Sequence, residues 1–87
     1  MATSGVSVAK NKIQSVSNSS SIKAFRYDSE NLILYVRFSE KAVYMYYNVP
    51  QTLVDDVFNS SPSIGRSFRQ RINGYPYQRL NGNTTEV

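Results

Sequence analysis

The side chains best suited to chemistry are four arginines in the second half of the chain. They share a stretch, residues 57–85, that contains no acidic residue, and they are Arg66, Arg69, Arg71 and Arg79. Arg66 and Arg69 are three residues apart, so a helix would place both on one face. Because a guanidinium group matches phosphate geometry and stacks on nucleobases, this pattern indicates an anion-binding surface. The alternative is a solvated basic face that pairs in part with Asp55 and Asp56.

The segment that carries these arginines has the spacing of a helix. Ile64, Phe68 and Ile72 are four residues apart and form an apolar stripe, and Ser63 is placed as the N-cap. Backbone N–H groups at this N-terminus, around Ser63 and Gly65, could add donors for an anion. The structural alternative is that Gly65 lets the helix approach a sheet closely.

Tyrosine is the second candidate group, since the chain has seven tyrosines and no tryptophan. Tyr44 and Tyr46 are two residues apart in a strand pattern, so they share a face. With a two-residue hairpin loop before them they would join Arg37 in an exposed platform that stacks nucleobases. One more loop residue or a bulge would turn both rings toward the core. Tyr75 and Tyr77, after the second helix, are further stacking candidates.

Catalytic chemistry is poorly represented. The chain contains neither cysteine nor histidine, which removes the commonest soft metal ligands, the usual general base and the thiol nucleophile. Asp55 and Asp56 are adjacent on a predicted helix and point about 100° apart, so they do not form a catalytic pair. The sequence therefore predicts a binding module that is not an enzyme and has no metal or cofactor.

The elements that position these residues follow from the apolar pattern. Residues 22–27, 32–38 and 43–49 read as three strands, and the second has the clearest period-two alternation. Pro50 suits the first turn of a helix, and the arginine-bearing helix follows. Residues 75–80 are extended. The expected fold is α+β: a small antiparallel three-stranded meander, then two short helices on one face and an extended tail.

The two ends of the chain differ from its centre. Residues 1–20 are rich in serine, asparagine and lysine, and we expect a flexible arm whose end can add to a sheet edge. Residues 81–87 form a polar C-terminal tail. No apolar run has transmembrane length, and a small chain without cysteine fits a reducing cytoplasm. A net charge of +4 favours acidic partners.

The motifs together resemble the KTSC domain, which occurs at the C-terminus of some lysyl-tRNA synthetases and as a stand-alone protein in bacteria and phages. The matching residues are Ser20-Ser21-Ile22, Tyr27-Asp28, Leu32-x-Leu34-x-Val36-x-Phe38, Tyr44-x-Tyr46, Val49-Pro50, Ser63-x-Gly65-x-x-Phe68, Ile72 and Tyr75-Pro76-Tyr77-x-Arg79-Leu80. Residues 21–80 are thereby identified as a KTSC-like domain. The resemblance implies an association with RNA.

Three functions fit these observations. The first is binding of nucleic acid, RNA rather than DNA, with phosphates on the four arginines and Ser63 and with bases on tyrosines. The second is a protein-interaction module for an acidic partner, for example a small phage- or bacterium-encoded regulator or inhibitor of a host protein. The third is capture of a small anionic nucleotide at residues 63–69. Neither the oligomeric state nor a membrane role is indicated.

Overall fold

The computed structural model describes residues 11–16, 21–59 and 64–87. In these ranges the chain forms five strands and two helices. They are β1 (Gln14–Ser15), β2 (Ala24–Asp28), β3 (Ile33–Arg37), β4 (Val43–Tyr46), α1 (Gln51–Phe58), α2 (Ile64–Arg71) and β5 (Tyr77–Leu80). The strands form one antiparallel sheet in the order β1-β2-β3-β4-β5.

The α+β class, the antiparallel meander and the two helices agree with the sequence, but the expected number of three strands is wrong. Both additional strands come from segments that carry little apolar pattern. Gln14–Ser15, in the N-terminal arm, pairs with β2, and the extended tail Tyr77–Leu80 pairs with β4. The rest of the proposed arm, residues 1–10 and 17–20, lies outside the described residues.

The turn between β2 and β3 is built by Asp28. Its carboxylate accepts hydrogen bonds from the backbone N–H groups of Glu30 and Asn31 and from the Asn31 side chain, as in an Asx turn. Leu32, expected to begin the second strand, lies in the turn with φ 57 and is 39% exposed. Period-two spacing alone does not reveal this change in backbone conformation.

The hairpin between β3 and β4 decides which way the tyrosines face. Arg37 pairs with Val43, and Val36 with Tyr44. Phe38 N–H donates to the carbonyl of Ala42 at 2.8 Å, so the loop is longer than two residues. Directly paired residues lie on the same face of a sheet. Tyr44 therefore shares the core face with Val36, and the exposed-platform register is wrong.

Both helices pack on this core face. α1 buries Val57 and Phe58, while α2 buries Ile64 and Phe68. The Phe58 ring stacks on that of Phe25 in β2, with centroids 3.9 Å apart. Burial of a side chain as large as phenylalanine contributes roughly 1.5–3 kcal/mol, so such contacts fix the helices on the sheet.

The opposite face of the sheet is covered by residues 81–87, hereafter the C-terminal segment. Val87 is 7% exposed, and the Arg37 guanidinium donates to its carbonyl at 2.8 Å. Glu86 pairs with Arg26 at 2.5 Å, and the Arg26 guanidinium lies 4.0 Å from the centroid of the Tyr35 ring. The sheet is thus covered by helices on one face and by the C-terminal segment on the other. No helix of the described ranges is long and apolar enough to cross a membrane.

Candidate functional site

Helix α2 holds Arg66 and Arg69 on its solvent side. Its buried side is fixed by Ile64 and Phe68, and both arginines are exposed. Because they are three residues apart, they lie on one face of the helix, as the spacing predicts. Their cationic groups can therefore act on one anionic ligand together.

Arg71 belongs to a different part of the surface. Its guanidinium pairs with Asp56 of α1 at 3.4 Å, with 46% and 63% of the two side chains exposed. An exposed ion pair of this kind contributes about 0–1 kcal/mol, so it holds Arg71 only weakly. The structure therefore places Arg71 toward α1 and apart from the other two arginines of α2.

Arg79 is positioned by strand pairing rather than by the helix. It lies opposite Tyr44 in the sheet, which places its side chain on the helix-bearing face, and it is exposed. The predicted N-cap and anion ligand Ser63 lies outside the described residues, so capture of a nucleotide at residues 63–69 stays a prediction.

Three tyrosine rings meet beside α2. The Tyr77 ring centroid lies 5.4 Å from that of Tyr44 and 5.7 Å from that of Tyr46. Phe68 of α2 packs edge-on against Tyr46 at 5.3 Å. Tyr46 is 4% exposed, whereas Tyr77 is 57% exposed. The rings thus range from a buried floor to an open rim.

These rings line an open concavity of about 370 Å³, which we call the tyrosine concavity. It is lined by Phe38, Ala42, Tyr44, Tyr46, Asn73 and Tyr77. The volume lies at the small end of the roughly 300–1,000 Å³ that is usual for ligand pockets. Tyr75, also a stacking candidate from the sequence, packs partly buried against the hydrophobic core instead.

Burial governs the protonation of the floor of the concavity. Desolvation raises the pKa of Tyr46 to about 12, and the neighbouring Tyr44 and Tyr77 add to the increase. An ionised phenolate would lose its hydration there, so the neutral hydroxyl is favoured. Tyr46 is therefore a neutral, apolar wall at physiological pH rather than a general base.

Sequence reasoning did not identify Phe38 and Asn73 as site residues. Asn73 follows Arg69 by four residues, and that spacing was the available signal. The backbone N–H of Asn73 donates to the carbonyl of Phe68, five residues before it, at 3.2 Å, as in the turn that closes the C-terminus of a helix. Asn73 therefore brings the C-terminal turn of α2 to the tyrosine concavity.

Two other side chains have shifted pKa values, and both shifts have structural causes. Burial raises the pKa of Tyr27, whose hydroxyl donates to the Val49 carbonyl at 2.5 Å in the core. The hydrogen bond from the Asn31 side chain lowers the pKa of Asp28 in its turn. Across the described ranges, no group of three acidic, histidine or cysteine side chains is placed to hold a metal ion.

Most of the chain is similar to known proteins. The family model described as KTSC domain matches residues 18–77. A lysine–tRNA ligase from Trichormus variabilis is 37% identical over 60 residues, which cover 68% of this chain and 10% of that protein. A protein from Stutzerimonas stutzeri, described as uncharacterized, is 39% identical over 64 residues, which cover 71% and 89% of the two chains.

The fold has a counterpart among solved structures. The crystal structure of a KTSC domain protein from Yersinia pestis is similar with a TM-score of 0.73 and 31% identity, covering 80% of this chain and 97% of that one. The resemblance read from the sequence motifs is thereby confirmed. The chain spans about a tenth of the length of the lysine–tRNA ligase but most of the two smaller proteins.

Proposed function

The chain belongs to the KTSC domain family, and we propose that it is a non-enzymatic module that binds nucleic acid, RNA in preference to DNA. The observation that carries the proposal is that exposed arginines on α2 and β5 occur together with the open tyrosine concavity on the helix-bearing face. Arg66 and Arg69 are exposed on α2, and Arg79 is exposed on the face that bears Tyr77. The family has no known catalytic role.

Electrostatics supports an anionic polymer as the partner. The net charge is +4, and α2 and β5 lie within a stretch of 29 residues, 57–85, that has no carboxylate side chain. Phosphates are attracted to such a surface over a distance set by the ionic strength, about 10 Å at 0.1 M salt. Guanidinium groups then bind phosphate oxygens in a fork geometry that lysine does not provide.

The preference for RNA rests on the relatives. A segment similar to this chain occurs in a protein named lysine–tRNA ligase, whose substrate is an RNA. A cytoplasmic location is part of the proposal, because RNA is abundant there and a small domain without cysteine has no need of an oxidising compartment.

The proposal is tested by measuring the affinity for a short unstructured RNA by fluorescence anisotropy over a salt series. Each phosphate neutralised on a single strand contributes about 0.7 to the slope of log K against log salt. The double variant Arg66→Ala/Arg69→Ala is expected to bind at least about tenfold more weakly and to reduce this slope by about 1.4. Single-stranded DNA of the same sequence should bind more weakly than the RNA.

A matched control separates the site from net charge. Lys12 and Lys23 are exposed near β1, away from α2, and their joint replacement by alanine lowers the charge by the same amount. This control should leave the salt slope close to that of the unmodified protein. Equal affinity of the arginine double variant and the unmodified protein for RNA would contradict the proposal.

A second candidate, docking of an acidic protein such as a host protein inhibited by this module, is favoured by the open edge of β5. Tyr47 N–H donates to the Pro76 carbonyl, so Tyr77 and Arg79 direct their backbone groups away from β4. β5 is the last strand of the sheet, and a partner strand could pair there. A complex captured from lysate that survives nuclease and high salt would favour this candidate over RNA.

A further inference from the structure

The tyrosine concavity has a shape that selects its guest. Tyr46 forms a buried floor, Tyr44 is half-buried, and the rim ring of Tyr77 is 57% exposed. The Tyr44 and Tyr77 rings are inclined by 55° with centroids 5.4 Å apart. This spacing is within the roughly 4.5–7 Å of direct ring contact, so no third ring fits between them. A planar guest would instead lie in the open part of the concavity, against the exposed part of the Tyr77 ring.

The side chains that line the concavity limit the class of ligand that it can bind. A cluster of aromatic rings can accept either a planar apolar group or a cation. Arg79 lies opposite Tyr44 in the sheet, on the face that carries the concavity, so a cationic guest is repelled. A planar neutral group attached to an anion satisfies both the rings and the arginines. A nucleotide has this combination.

Asn73 adds a polar group to the wall. Its amide carries both donors and an acceptor, which can meet the edge of a nucleobase. In a duplex the faces of a base are stacked and its pairing edge is occupied, so only an unpaired base offers a free face and a free edge together. The concavity and its arginines therefore distinguish single strands from duplexes.

We infer that the tyrosine concavity accepts one unpaired nucleobase, stacked on Tyr77 and met by Asn73, while an adjacent phosphate lies on Arg79. This inference rests on the proposed function and adds to it a substrate class, single-stranded nucleic acid. It also assigns different tasks to the two groups of residues: the arginines provide affinity that depends on salt, and the rings select unpaired bases.

The test compares one RNA of non-self-complementary sequence, as a single strand and annealed to its complement, at equal salt. The single strand should bind about tenfold more tightly or better, because stacking of one base on an aromatic ring contributes about 1–3 kcal/mol. Tyr77→Ala should lower single-strand affinity by about tenfold and leave duplex affinity unchanged. The salt slope should not change, since no charge is removed.

Two variants serve as controls. Tyr77→Phe keeps the ring and should retain the affinity of the unmodified protein. Gln78→Ala alters the next residue of β5, which faces the other side of the sheet. It should therefore leave single-strand affinity unchanged. Circular dichroism verifies that each variant is folded, and Asn73→Ala provides a second perturbation of the concavity that does not alter a strand.

A fluorescent base gives an independent measurement. 2-Aminopurine placed in the single strand loses fluorescence when it stacks, and binding to the unmodified protein should quench it while Tyr77→Ala should not. Equal affinity for single strand and duplex, with no effect of Tyr77→Ala, would overturn the inference while salt-dependent binding through Arg66 and Arg69 still supports the proposed function. Absence of RNA binding to the unmodified protein would overturn both, as would binding of an acidic protein alone.

Discussion

Replacement of Arg37 by alanine is expected to release the C-terminal segment from the sheet. The Arg37 guanidinium donates hydrogen bonds of 2.8–3.3 Å to backbone carbonyls in the loop after β3 and in the C-terminal segment. These acceptors are the carbonyls of Ser39, Glu40, Gly82, Thr84 and Val87. Three of the five lie in the C-terminal segment, so one side chain holds most of its length.

The stability lost in Arg37→Ala is limited by detachment of the C-terminal segment. Hydrogen bonds from a charged donor contribute about 1.5–3 kcal/mol each, so the four bonds to the three acceptor residues of the C-terminal segment would sum to at least about 6 kcal/mol. However, the segment can detach and return its carbonyls to water, so the loss cannot exceed the free energy of docking it. Val87 accounts for about 1.5–3 kcal/mol of that docking through burial. We expect a loss of about 2–3 kcal/mol.

The assay is thermal unfolding followed by circular dichroism. For a domain of this size a loss of 1 kcal/mol lowers Tm by about 4–8 °C, so Arg37→Ala should lower it by about 10–20 °C. Arg79→Ala removes the same charge from an exposed position and should change stability by less than about 0.5 kcal/mol. If Arg37→Ala unfolds at the same temperature as Arg79→Ala, the C-terminal segment is not held by Arg37 and the reasoning is wrong.

Two further predictions concern packing and pH. A Cβ atom added at Gly82 would lie 2.3 Å from the Glu40 carbonyl oxygen. A Cβ atom added at Gly74 would have no atom within 4 Å. Gly82→Ala should therefore lower the free energy of unfolding, measured in urea, by about 1–3 kcal/mol, and Gly74→Ala should leave it almost unchanged. Equal effects of the two substitutions would show that Gly82 does not closely approach Glu40. Because burial raises the pKa of Tyr46 from 10.0 to about 12, its ionisation favours the unfolded chain. The contribution of Tyr46 to stability should be constant below pH 10 and decline toward pH 12, and Tyr46→Phe should remove part of the alkaline decline in urea midpoints measured at pH 9 and pH 11.

Local periodicity made the central elements predictable from sequence. The period-two apolar residues of β3 and the spacing of four in Ile64, Phe68 and Ile72 each indicate one buried side of a regular element. The same helical spacing correctly placed Arg66 and Arg69 on one exposed face. These features depend on neighbours in sequence, so no tertiary information was needed.

The hairpin register was not predictable, because it depends on a single residue of loop length. Sequence reasoning left Tyr44 either on an exposed platform with Arg37 or in the core. The observed pairing of Arg37 with Val43 sends Arg37 to the opposite face, where it binds the C-terminal segment. Its function is therefore structural, which no composition or spacing argument distinguishes from phosphate binding.

The strands at the two sheet edges were expected only as an arm whose end can add to a sheet edge and as an extended tail, and not as counted strands, for a different reason. Gln14–Ser15 is short and polar, and in Tyr77–Leu80 three of four residues are exposed. Their stabilisation comes from hydrogen bonds to a neighbouring strand rather than from burial of an alternating face. Asn73 and Phe38 were likewise outside the predicted site, because the fold alone brings them to the same concavity.

The width of the sheet relative to its helices explains where the candidate site lies. On the helix-bearing face, Phe25 and Tyr27 of β2 are almost completely buried, whereas Tyr77 of β5 is 57% exposed. α1 and α2 thus cover the centre of the sheet and leave a strip at β5 open to solvent. Residues on this strip contribute little to the core, so substitutions at Tyr77 and Arg79 should alter binding at almost constant stability. β5 therefore serves chiefly to position side chains beside α2, and that separation of binding from stability makes the proposed site testable by mutation.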